Sequence, residues 1–207
     1  MFAERGDLMI AAYGGSNGFE GQFAYSITDH IAIMANGSYQ SNTDDSIHLE
    51  TYHKHLFGEF GGGYYTKLGS IGRLGCYGGY GIGQAETGYN YTFINHYSGV
   101  VNGLYERFFI QSDFGLTSTF DIVTSGVSAR GSYVHFYKFT SDKQEFKTSV
   151  SNYYFEPAVF VRVGWKYVKI QFQFSGSILM NDNPEFDNQP YMFSGGLVFT
   201  IPMMLAK

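Results

Sequence analysis

Cysteine occurs once in this chain, at Cys76, so no intrachain disulfide framework can form. Proline, which removes a donor from a strand ladder, occurs only 4 times, so long unbroken strands are permitted. No run of roughly 18 apolar residues is present, which excludes a membrane-crossing helix. It does not exclude a barrel, because alternating strands dilute their apolar signal. Basic residues are also scarce: Lys and Arg number 13 against 18 Asp and Glu, a net charge of −5. That balance gives no footprint for nucleic acid, which is not an expected partner. The opening MFAERGDLM lacks a basic stretch followed by an apolar core, so it is no signal peptide, and a mature or trimmed chain is expected.

Glycine and aromatics are abundant, with 27 Gly, 18 Tyr and 20 Phe in 207 residues. That combination suits tightly packed β-structure and opposes helix. The length fits one domain, residues 1–207, and no repeat or linker divides it.

Alternation of period two predicts ten strands: 7–14, 19–27, 31–40, 54–66, 72–85, 105–116, 120–137, 153–165, 167–178 and 190–201. Eight is the alternative count. Gly15-Ser16-Asn17-Gly18 is a tight turn with residues that tolerate positive φ. After it the connections run alternately short and long. The long ones are a polar loop 41–53, a Tyr- and Asn-rich loop or pair of strand extensions 86–104, a charged loop 138–151 and a last loop 179–189. Pro157 should mark a bulge or rim. The dense glycines of GEFGGGYY and GCYGGYGIG suit curvature or close packing against large side chains.

The strands have one apolar face and one face carrying Glu20, Glu59, Arg73, Arg107, Asp113, Arg130, Glu156, Arg162 and Lys169. A soluble barrel would turn the charges to water; a membrane barrel would turn them inward and pair them. Both signs are represented, four acidic and five basic, as a mutually neutralising interior needs. Large aromatics near strand ends, including Tyr25, Tyr64, Tyr133, Tyr153, Trp165 and Tyr191, suit a membrane interface. The expected fold is therefore all-β: a closed, up-and-down, antiparallel transmembrane barrel with a side-chain-filled polar interior.

The final strand reads PYMFSGGLVFTI, and Ser194-x-Gly196-x-x-Phe199-x-Ile201 looks like the C-terminal assembly signal of bacterial outer-membrane barrels. With the alternation and aromatic belts, the chain resembles small barrels of the OmpX/OmpA type. The phrase AYSITDHIAIMANGSY (Ala24–Tyr39) resembles such proteins in Bacteroidota. The resemblance implies an integral outer-membrane location with both termini periplasmic. It also implies contact with membrane lipid, insertion by the barrel assembly machinery, and in some members a protein partner in a larger complex.

No cofactor is expected, and a non-catalytic structural, accessory or surface-interaction role is favoured. The alternatives are a rim hydrolase, acting on peptide or lipid, and a narrow solute channel. The outer-side histidines are His48, His53, His55, His96 and His135, with Asp44 and Asp45 near the first. An Asp–His pair could activate water. However, no Asp-x-His lies on a strand rim and no His-x-Ser ends a strand. His48, His53 and His55 are the weak metal candidates, since residues two apart share a strand face. Cys76 is expected on the lipid face and inert.

Overall fold

A computed structural model describes residues 5–16, 18–46, 49–91, 97–141, 144–146, 149–181 and 190–203. Its strands are β1 (Asp7–Gly15), β2 (Gly18–Ser26), β3 (Ile31–Ser46), β4 (Leu49–Leu68), β5 (Gly72–Tyr91) and β6 (Tyr97–Thr117). They continue with β7 (Val123–Ser141), β8 (Gln144–Phe146), β9 (Val150–Trp165), β10 (Val168–Gly176), β11 (Ile178–Leu179) and β12 (Tyr191–Pro202). Ten of these are staves of one closed antiparallel barrel. β8 and β11 are short additions on β7 and β9, while β7 pairs directly with β9. Closure is made by β12 on β1, from Asp7↔Pro202 to Gly15↔Ser194. Both ends of the described chain therefore lie at the end of the barrel that carries the short turns.

The tight turns contain the backbone that their sequences permit. Gly18 and Gly69 have φ of +101° and +67°, which costs nothing without a Cβ. Asp121 is the non-glycine residue of positive φ among the described residues, at 54°, and a short polar side chain tolerates this best.

The predicted long loops are corrected by the structure. β3 runs on through Ser46 and β4 begins at Leu49, so most of 41–53 is strand. β5 extends to Tyr91 and β6 begins at Tyr97; β7 reaches Ser141 and β9 begins at Val150. Beyond the apolar band a ladder needs no alternation, because neither face is turned to lipid, so periodicity loses the strand while backbone pairing continues. In the last predicted loop β11 occupies Ile178–Leu179, and 182–189 lie outside the described residues. Strand seven starts at Val123, not residue 120, because a bonded turn around Ser118 and Asp121 precedes it. Pro157 makes no bulge: it keeps register with Ala129. It sits where the ladder of β9 passes from β10, ending at Ala158, to β11, starting at Phe155. A missing N–H is harmless at such a break.

The barrel is lopsided. β1, β2 and β10 have 9 residues each, whereas β4 and β5 have 20. At about 3.3 Å per residue and a tilt near 40°, the short staves rise roughly 23 Å and the long ones roughly 50 Å. The low side only spans an apolar band of about 25 Å, and the tall side projects as far again beyond it.

Candidate functional site

The outer surface is apolar along every stave. Phe23, Phe60, Ile110, Val161, Phe172, Leu197 and Phe199 are all exposed, and Trp165 is 80% exposed. The inner face is where the polar groups converge. Arg130 Nη1 is 3.0 Å from Glu59 Oε1, and Glu59 is only 7% exposed. Asn36 donates to the same carboxylate at 2.7 Å, and Arg130 Nε donates to Gln111 at 2.7 Å. Gln111 in turn donates to Asp113 at 2.7 Å. A second group forms where Arg107 pairs with Glu156 and both bond Ser132. Arg162 donates to Gln171 at 2.5 Å, and Tyr13 donates to the same amide oxygen at 3.1 Å. Near the turn end Lys169 donates to Asp121 at 2.7 Å and to Thr124 at 3.0 Å. Arg73 donates to the Gly72 carbonyl at 2.8 Å. Glu20 lines a cavity of about 20 Å³ with Tyr13, Gln173 and Ser194.

The charges do not fill the interior alone. Inward aromatics, which the polar reading of that face missed, occupy much of it: Tyr13, Phe57, Tyr65, Tyr77, Tyr105, Phe109, Phe136 and Phe160 are buried. Three of them carry an arginine, with Arg130 4.4 Å above Phe109, Arg162 4.8 Å above Phe160 and Arg107 5.4 Å above Phe57. Each stack is attracted by the ring quadrupole. Beneath the rings lie the glycines: a Cβ at Gly79 would stand 2.6 Å from the Phe109 ring, and one at Gly81 2.7 Å from Phe57. Gly126 stands in the same relation to Phe160, and Gly196 to Tyr13. The signal for this was the alternation of glycine with aromatics in β4 and β5.

In the assembly motif, Phe199 and Ile201 are exposed on the apolar exterior, while Ser194 and Gly196 are half-buried on the inner face. His55 stacks with Phe57 and Tyr105 and bonds the Tyr105 hydroxyl at 2.5 Å. His53 is exposed and contacts Thr87 at 3.1 Å. His48 and His96 lie outside the described residues, as do the placements of the Asp44 and Asp45 side chains. Among the described residues, no three His, Cys, Asp or Glu side chains are grouped as metal ligands would be. Cys76 is exposed on the apolar exterior. His135, by contrast, is brought beside Ser151, with Nδ1 2.9 Å from Oγ. These residues are sixteen positions apart across a connection, so no local motif could signal the pairing.

No family model matches the sequence, and neither does any curated protein. Among solved structures, the translocator domain of the autotransporter NalP from Neisseria meningitidis is similar at 13% identity and a TM-score of 0.56, covering 93% of this chain and 86% of that one. The N-terminal barrel of OprF from Pseudomonas aeruginosa aligns over 96% of this chain and 100% of that one, at 10% identity and a TM-score of 0.43. The NalP likeness shows a shared barrel fold. With an apolar exterior and a charged interior, that fold defines an integral β-barrel of the bacterial outer-membrane class.

Proposed function

We propose that this protein is a sealed outer-membrane barrel that works through its surfaces and not through its lumen. The observation that carries the reading is the interior of stacked layers: glycine backbone, aromatic ring, arginine, then a carboxylate or amide. Such layers leave little water-filled path, and the ion pairs among them serve structure, not catalysis. The tall side of the barrel, β4 to β7, stands roughly 25 Å clear of the lipid band and offers an extended strand surface to a protein partner, in an accessory or adhesive role. Insertion by the barrel assembly machinery, directed by Ser194, Gly196, Phe199 and Ile201, and a Bacteroidota-like origin belong to the same proposal.

Planar-bilayer recording tests the sealed lumen. Purified protein is expected to add no stable single-channel conductance, and reproducible unitary steps would favour the narrow-channel alternative. Co-purification in mild detergent tests the accessory role: a stoichiometric partner is expected, and its loss when residues 43–52 and 88–100 are trimmed would place the contact on the tall side.

A further inference from the structure

The outward face of β9 runs Trp165, Val163, Val161, Val159, Phe155 and Tyr153, ending twelve residues above Trp165. With strand tilt that distance is about 30 Å, which is an apolar band of about 25 Å with an aromatic girdle residue at each end. The next outward residue is Ser151, which therefore stands where acyl chains give way to headgroups. Its register partner on β7 is His135, and the register partner of His135 on β6 is Glu106. Glu106, His135 and Ser151 thus hold neighbouring register positions on three adjacent staves, with the imidazole and the hydroxyl in contact. His135 Nδ1 and the Tyr133 hydroxyl are each 2.9 Å from Ser151 Oγ. Tyr80 donates to Glu106 at 3.1 Å. Asn181 fixes the backbone here, donating to the Ser151 carbonyl at 3.2 Å and accepting from Tyr153 N–H at 3.0 Å.

Directly toward the membrane centre the wall is indented. Gly131 is exposed, and the nearest side-chain atom to its missing Cβ is Ile110 Cγ2 at 3.9 Å. A groove of about 340 Å³ runs there between Phe108, Ile110, Tyr133 and Tyr153. It is shallow, mostly apolar and open to lipid.

We infer that Ser151 and His135 form a lipid-facing esterase site, which takes the long-chain carboxylic ester of an outer-leaflet lipid with its acyl chain in the Gly131 groove. The inference rests on the outer-membrane reading for its depth and goes beyond it in assigning chemistry. His135 takes the proton of Ser151 as Oγ attacks the ester carbonyl carbon. The ester C–O bond then breaks, the leaving alcohol takes that proton, and the acyl group remains on Ser151. Water, activated by the same imidazole, releases the fatty acid and restores the serine.

The ester could belong to a phospholipid or to lipopolysaccharide, and the assay separates the two. Full-length protein in detergent micelles is treated with a fluorophosphonate probe, and fatty-acid release is measured separately from diacyl phosphatidylethanolamine and from lipopolysaccharide. The expected result is probe adduct mapped to Ser151 and release from one or both lipids, the responsive lipid naming the source. Ser151→Ala should abolish both signals, and His135→Gln should lower release by roughly 10²- to 10⁴-fold. Folded wild-type protein, shown by heat-modifiable migration, that releases no fatty acid from either lipid and leaves Ser151 unlabelled would overturn the proposal. So would undiminished release by Ser151→Ala. Loss of heat-modifiable migration by the wild type would instead sink the barrel reading beneath it.

Discussion

Arg130 and Glu59 meet in the middle of the barrel, where Glu59 is buried and Arg130 half-buried. Removing one partner strands the other charge, so Arg130→Met is expected to cost about 3–5 kcal/mol in urea unfolding from detergent or lipid. The double variant Arg130→Met with Glu59→Gln should recover most of that loss, because no buried charge remains. An equal loss in single and double variants would show that packing on Phe109, not charge, sets the cost. At Gly79 the limit is steric: a Cβ would enter the Phe109 ring at 2.6 Å. Gly79→Ala is expected to destabilise by about 1–3 kcal/mol, measured by the same unfolding. The sequence displays the charged residues on the face opposite the apolar one, and the glycines beside the aromatics. It does not display which glycine lies under which ring, since that depends on register between staves. His135 and Ser151 are the sharper example: each is an ordinary polar residue until β7 and β9 are paired.

The strands were legible wherever lipid demands alternation. In β12, Tyr191, Phe193, Leu197, Phe199 and Ile201 form one face, and all are exposed on the barrel exterior. Phe199→Asp puts a carboxylate on that lipid-facing surface and is expected to block assembly, seen as loss of the heat-resistant band and degradation in cells. Normal insertion of this variant would contradict the facing. The strand ends above the lipid band were illegible for the converse reason. Residues 41–46 and 86–91 stay in the backbone ladder, with no apolar periodicity to mark them. A shortened chain lacking 43–52 and 88–100, closed by tight turns, should therefore still fold and insert, because its membrane staves keep their ladders. Failure of that chain to migrate as a compact species would mean that the projecting hairpins are needed to close the barrel.

At the scale of the molecule, the barrel is slanted, with its charged groups inside and its apolar surface outside. The number of staves and the antiparallel closure followed from alternation and connection lengths. The slant did not, because β1 and β2 stop at the band while β4 and β5 continue past it. Which face of β12 meets lipid can be measured by spin-label accessibility after reconstitution in lipid vesicles. In a Cys76→Ser background, labels at Leu197→Cys and Phe199→Cys should collide with oxygen and be shielded from a water-soluble nickel chelate. Labels at Ser194→Cys and Thr200→Cys should be shielded from oxygen. The reverse pattern, with the chelate reaching Leu197→Cys and Phe199→Cys, would show that this face does not meet lipid.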